Sequence, residues 1–527
     1  MLFCNSLSAQ NLSVSSNPID TLRKIEIISA NSLRQITINN STVLETLAGK
    51  AKVRQGNTIL EGDSIVLDKA LGIAEVFGHV HINDADTVNT YAQYLRYMGN
   101  EQIAYLQNDV QLTDGKASLF TQDLVYDLKT GVATYKNGGK VVNGKTILTS
   151  KDAVYYSDTK DVFFRNAVHL TDPNNNMVAD SLRYNTAFKN AYFISPTHIV
   201  SQNGIIDTKS GTYNLETGEA VFLDKTIFRD SSRFISGNKV AIDNKTNIIQ
   251  IEDNGKFVDS ANKVMVLGNQ ILIDKKNGSF LATRKPVMIF YKDNDSTYIS
   301  ADTLFSGKRL KDSIELKRMH QKDSIGQGSV KKHTKNAEDS VRYFLGFHHV
   351  KIFNDSIQAV CDSVHFSSED SIFKLFKHPV CWNGNTQLSG DTMYLHTKNQ
   401  QPEKVDIFFN AIVINKTNEN FFNQMSGKTM NGFFVDGKMN YIRTKGNPAE
   451  SIFYPQDDDS AYIGMNRTKG DVIDIFFTNN EIKKVKVIND VKGTLYPMKQ
   501  IPKELQFLKL YNWQDSIRPK TKLAIFE

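Results

Sequence analysis

A spacing of 29 to 30 residues governs this chain. Alanines fall at Ala74, Ala104, Ala133, Ala191 and Ala220, with Val162 filling the missing beat. Two residues after each stand Val76, Leu106, Tyr135, Phe164, Phe193 and Phe222. Seven residues before each stand Leu67, Tyr97, Tyr126, Tyr155, Tyr184 and Tyr213. Looser copies follow at Ile242/Ile249/Ile251, Ile273/Phe280/Ala282 and Phe366/Phe373/Leu375, with fainter ones near Leu395, Phe434 and Ile475. A fixed period of this length marks stacked units, none able to bury its apolar side alone.

Inside a unit the period is two. In DSIVLD (63–68) Ile65 and Leu67 share a face, as do Ala74, Val76, Val80 and Ile82 further on. Turn stretches such as DKALG, MGN, DLKTG and NTAFKN separate these runs. Short strands with one dry face each are predicted, stacked into two facing sheets with a continuous apolar seam. The 20 Tyr and 31 Phe suit such strands, while only 11 Pro and 31 Gly exclude collagen-like or low-complexity sequence. The one place for a short helix is PKELQFLKLY (502–511). A right-handed β-helix is the structural rival, but its coils favour inward Asn or Val ladders over bulky aromatics.

The formal charge of +6 is largely local. Residues 308–339 hold nine Lys/Arg and five Asp/Glu, a surplus of +4, which leaves 6 − 4 = +2 for the rest. No broad basic stripe is present, so no nucleic-acid partner is expected, and the basic stretch reads as a solvated loop. Contact between it and anionic headgroups is the sharper alternative. No apolar run is long enough to span a membrane as a helix. MLFCNSLSAQ at the start looks like the tail of a signal peptide, so export is expected, with Cys4 in the leader. Cys361 and Cys381 share a repeat and could pair, although inert strand cysteines are the plainer reading.

The stretch VLETLAGKAKVRQGNTILEGDSIVLDKALGIAEVFGHVHI (43–82) resembles the OstA/LptA family of lipopolysaccharide-transport proteins. The residues that carry the likeness are Gly49, Val53, Gln55 and Gly56, then Leu60, Gly62, Asp63, Ile65 and Leu67. The second element recurs as VADSLRY (178–184), ISADTLF (299–305), AVCDSVHF (359–366) and LSGDTMYL (388–395). The resemblance implies an elongated, twisted β-jelly-roll, two antiparallel sheets in a V whose dry interior shelters acyl chains. It also implies a periplasmic carrier of lipopolysaccharide or lipooligosaccharide that docks by its edge strands onto β-jelly-roll partners of the inner and outer membranes. This chain departs from short family members by its length and its basic insertion. The organisation expected is a leader remnant and extension (1–24), repeats (25–306), the insertion (307–342), further repeats (343–498) and a tail (499–527).

Catalytic groupings with adequate spacing are absent: there is no G-x-S-x-G elbow, P-loop or H-E-x-x-H. No enzyme, cofactor or metal is therefore expected. His79 and His81 on one strand form a weak metal pair, since strand histidines mostly face solvent. His348 and His349 form a poorer one. The recurring Asp63, Asp180, Asp302, Asp362 and Asp391 read as turn caps or a stacked polar ladder, not an acid cluster. The aromatic frame has two readings, a filled core or a lipid trough. With the resemblance, the expected lining is Leu67, Val76, Tyr97, Leu106, Tyr126, Tyr135, Phe164, Tyr184, Phe193, Tyr213 and Phe222. The rival function is a structural or adhesive β-solenoid with a filled core and a binding outer face.

Overall fold

A computed structural model describes residues 24–39, 42–84, 88–291, 296–310, 340–398, 401–457, 459, 461–478 and 481–527. The leader remnant with Cys4 and residues 311–339 of the basic insertion lie outside them. The chain is almost entirely antiparallel β-structure, as the alternation predicts, in two compact units that meet at Ala220/Val221. Its helices, among the described residues, are 3-10 turns, and Lys503–Leu505 is the one within the stretch expected to be helical.

In the first unit the strands Thr42–Gln55, Thr58–Asp68, Ile73–Asp84, Val88–Met98, Ile103–Thr113 and Ala117–Asp127 pair in succession. Each pairing breaks register once midway, as between Phe77 and Val80 or Gln107 and Val110. At these bulges two consecutive residues take positive φ: Gly49/Lys50, Gly78/His79, Asn108/Asp109 and Asn166/Ala167. A bulge of that kind bends a strand sharply, so each long strand gives one half to each of two facing sheets. The vertex of the V lies at the bulges and the open side at the hairpin ends. Those ends are capped by Asx turns in which Asp68, Asp127, Asn185 and Asn214 accept backbone N–H groups two and three residues ahead.

The vertex explains the recurring small residue and aspartate of the repeat. A β-carbon added at Gly62 would come within 2.3 Å of Val76 Cγ1, and one at Gly390 within 2.4 Å of Ile407 Cγ2. At these two positions only a hydrogen fits, whereas Ala179, Ala301 and Cys361 take the same place in other copies. The aspartate that follows turns outward and meets a bulge residue across the ladder. Asp63 contacts His79 Nδ1 at 2.8 Å, Asp302 contacts His349 at 2.9 Å, and Asp391 accepts from Asn410 Nδ2 at 3.0 Å. Each of these aspartates thus pairs with a bulge residue, while turn capping falls to a different set. His79, His348 and His349 thus sit in bulges against carboxylates, and His81 stacks on Tyr91.

The 29-residue frame becomes a single row of directly opposed residues. It runs Leu67–Ala74–Tyr97–Ala104–Tyr126–Ala133–Tyr155–Val162–Tyr184–Ala191–Tyr213. Small and large residues alternate along it, so each alanine leaves room for the tyrosine rings beside it.

In the second unit the same strand-bulge-strand plan recurs, with paired positive φ at Asp253/Asn254, His348/His349 and Phe409/Asn410. Val287–Phe290, Val380–Asn383 and Thr386–Ser389 are short strands buried on nearly every residue, against the expectation of one polar face. The reason is the tail, which lies on their outer side. It follows one cross-strand row, Tyr298–Phe353–Gln358–Trp382–Gln387–Ile414–Gln424–Ile452–Arg467. Gln424 donates to Gln506 O and accepts from Leu508 N; Gln387 does the same with Asn512 O and Gln514 N. Gln358 Oε1 accepts from Arg518, and Ile525 closes the row against Val287, Ile289 and Phe353. Cys361 and Cys381 are buried and unpaired here, so no disulfide forms.

Candidate functional site

The tyrosines of the first unit do more than fill the row. Each hydroxyl reaches the rim of the facing sheet, at a residue 38 to 42 positions earlier. Tyr97 Oη donates to Gln55 Oε1 at 2.5 Å, Tyr126 to Asp84 at 3.1 Å and Tyr155 to Asp114 at 3.4 Å. Tyr184 and Tyr213 accept from Asn143 and Asn175 at 3.2 and 3.3 Å. The open side of this unit is therefore laced shut by five polar latches. Burial pushes the Tyr184 hydroxyl up to about 12, and it raises Tyr97, Tyr126 and Tyr155 further still. The negative charge of Asp84 adds to the shift at Tyr126, and that of Asp114 at Tyr155.

Behind the latches the residues expected to line a trough are packed. Leu67, Val76, Tyr97, Leu106, Tyr126, Tyr135, Phe164, Tyr184, Phe193 and Phe222 are all buried, and only Tyr213 is half-buried. Tyr135 differs from the latches in bonding Ser150 Oγ, at 2.8 Å. A void of about 20 Å³ lies among Leu112, Leu119, Ala133, Tyr135 and Val162.

In the second unit the equivalent row reads Ile242–Ile249–Ile273–Phe280–Ser306–Phe344–Phe366–Phe373–Leu395–Val405. No tyrosine stands in it, so the first unit's tyrosine latches have no counterpart here among the described residues. Here the V is open. A cavity of about 520 Å³ lies between the sheets, walled by Phe280, Phe344, Phe366, Phe373, Leu395 and Ser306 from the row. Phe257, Val264, Met288, Phe290 and Ile352 face them from the other sheet. That volume is in the range of sites that hold small organic ligands, and the wall is apolar to match. Its rim carries Lys308, Arg342, Ser340 and Ser368 on one side and Asp259, Asn262, Thr297 and Asn354 on the other.

The frame had already reached Phe280, Phe366, Phe373, Leu375 and Leu395 as loose copies, and all five line the cavity. Phe257, Met288 and Phe290 on the facing sheet were missed, as was Phe344 in the row itself. No group of three or more His, Cys, Asp or Glu positioned for a metal occurs among the described residues. Nor, among those residues, is any helix long and apolar enough to cross a membrane.

A fold of two facing sheets hinged at bulges, apolar within and polar at the rim, defines a β-jelly-roll of the groove type. Residues 22–180 and 168–236 match the OstA-like protein family, and over that span the chain is similar to it. The motif residues of that likeness now have roles: Gln55 is a latch, Gly56 turns the first long hairpin at φ 58°, and Gly62 and Asp63 build the vertex. Among solved structures the chain is similar to LptH of Pseudomonas aeruginosa, the LptA-homologous periplasmic component of a lipopolysaccharide transport device. That match has 17% identity and a TM-score of 0.19, and covers 22% of this chain and 84% of the other. No curated protein matches.

Proposed function

We propose that the protein is a non-enzymatic lipid carrier of the cell envelope that shelters acyl chains of a lipopolysaccharide-type lipid between its sheets. The single observation that carries this reading is the aromatic-walled cavity of the second unit. An acyl chain of about twelve carbons gains on the order of 10 kcal/mol when transferred from water into such a wall, at about 0.8 kcal/mol per methylene. No catalytic group is needed for that. In the first unit the row from Leu67 to Tyr213 is the corresponding lining, accessible to a chain when the tyrosine latches part. Edge strands supply the docking sites for partner sheets in the periplasm.

The test is photocrosslinking to purified lipopolysaccharide, with a photoreactive residue placed in turn at Phe280, Phe366 and Phe373, and at the surface controls Lys129 and Lys189. Crosslinks confined to the cavity positions support the carrier. Their absence in a folded protein rejects it in favour of a filled scaffold, the reading that the close packing of the first unit would then share.

A further inference from the structure

We propose that Lys308 and Arg342 form a subsite for the phosphate headgroup of the lipid whose chain occupies the cavity. This deepens the carrier reading and rests on it. The two residues stand directly opposite one another across strands Thr303–Leu310 and Ser340–Phe353. They lie on the same face as Ser306 and Phe344, two positions outward along each strand, where the apolar wall ends and the rim begins.

Two cations in direct opposition cost stability, because like charges across a ladder repel. Among the described residues no carboxylate relieves them. Their neighbour Arg309, one position along and on the other face, is paired with Glu369 at 2.8 Å. The carboxylate on the rim, Asp259, is held in its own turn by the backbone N–H and the side chain of Asn262, at 3.1 and 2.6 Å. Lys308 is also positioned: its Cε and Nζ lie 3.5 Å from where a β-carbon at Gly278 would stand, so the bare turn seats the lysine stem.

A Lys–Arg couple with no carboxylate partner among the described residues, at the mouth of an apolar cavity, is complementary to a molecule with an acyl body and a compact anionic end. Arginine offers a planar fork and lysine a point charge, a combination suited to phosphate oxygens. Ser340 and Ser368 stand beside them on the same rim.

The experiment compares dodecyl phosphate with dodecyl maltoside, both below their micellar concentrations, on the full-length protein at low ionic strength. Wild type is expected to bind the phosphate about tenfold or more tightly than the maltoside. Inorganic phosphate alone is expected to bind far more weakly than dodecyl phosphate. The double variant Lys308→Gln/Arg342→Gln should lose the preference and keep its maltoside affinity, which also shows that it folds. Lys308→Arg should retain the preference. Equal binding of both probes by wild type overturns the subsite and leaves the groove standing. A preference that survives in the double variant overturns the assignment to this pair. Inorganic phosphate binding as tightly as dodecyl phosphate marks a free-anion site and overturns the headgroup reading. Failure of both dodecyl probes to bind rejects the groove itself.

Discussion

Replacing Tyr126 by Phe removes a single atom from a latch and leaves everything behind it in place. The ring stays in its row between Ala104 and Ala133, and what is lost is the bond from Tyr126 Oη to Asp84 Oδ2. A hydrogen bond to a charged acceptor contributes about 1.5–3 kcal/mol. Asp84 keeps Thr58 Oγ1 at 3.1 Å and is only half-buried, so the lower end applies, about 1.5 kcal/mol. If the latches hold the rim closed, that loss raises the population of the locally open rim about tenfold, since 1.4 kcal/mol is a factor of ten. Native-state hydrogen exchange reads this directly. Amides of Val88–Met98 and Ile103–Thr113 near the open side should exchange about ten times faster, while those at the bulges stay unchanged. Tyr156→Phe, at an exposed tyrosine outside the latch row, serves as the control. Equal exchange in Tyr126→Phe, wild type and control would refute the latch.

Alkali should open the first unit as a whole. Burial holds Tyr135 and Tyr184 up to about 12, against an ordinary value of 10.0. Their pKa values are raised on folding, so their contribution is complete below pH 10 and is lost as pH climbs towards 12. Each accounts for roughly 3 kcal/mol by the top of that window. Denaturant midpoints measured from pH 8 to 11.5 should be flat and then fall; a flat profile throughout would contradict the burial. Gly62→Val places methyls against Val76 at the vertex and should cost roughly 1–3 kcal/mol by overpacking, measured by thermal unfolding. Arg518→Ala strips donors from Gln358 Oε1 and Gly384 O and should cost about 2–4 kcal/mol, with faster exchange in Val380–Asn383 as the local sign.

Much of this architecture was readable because one physical constraint writes itself at one spacing. A row across a sheet of paired hairpins visits the chain once per strand, so the alternation of Ala and Tyr along the row appears as the period from Leu67 to Tyr213. The bulges left no such trace. Their positive-φ pairs include Asn108/Asp109, Lys377/His378 and Phe409/Asn410, with nothing in common beyond a bias to Asn and Asp. The latches were invisible for another reason: Tyr126 and Asp84 belong to facing sheets, and neither residue type alone implies the other. The second unit's row carries Phe366 where the first has tyrosines, and so lacks the hydroxyl that would make a latch. The tail escaped because its partners Gln358, Gln387 and Gln424 sit among apolar neighbours and look like ordinary polar positions in the sequence.

That tail has a consequence in time. Arg518 bonds Gln358 across 160 positions of chain, and Gln514 bonds Gln387 across 127. During folding the strands of this unit can pair before the tail docks, and Gln358 waits for its partner until it does. Throughout that interval Trp382, Ile289 and Phe353 form a wet apolar stripe on strands that are otherwise ready to pair. The second unit is thus assembled from the inside first and sealed last, and its most aggregation-prone moment comes just before the seal.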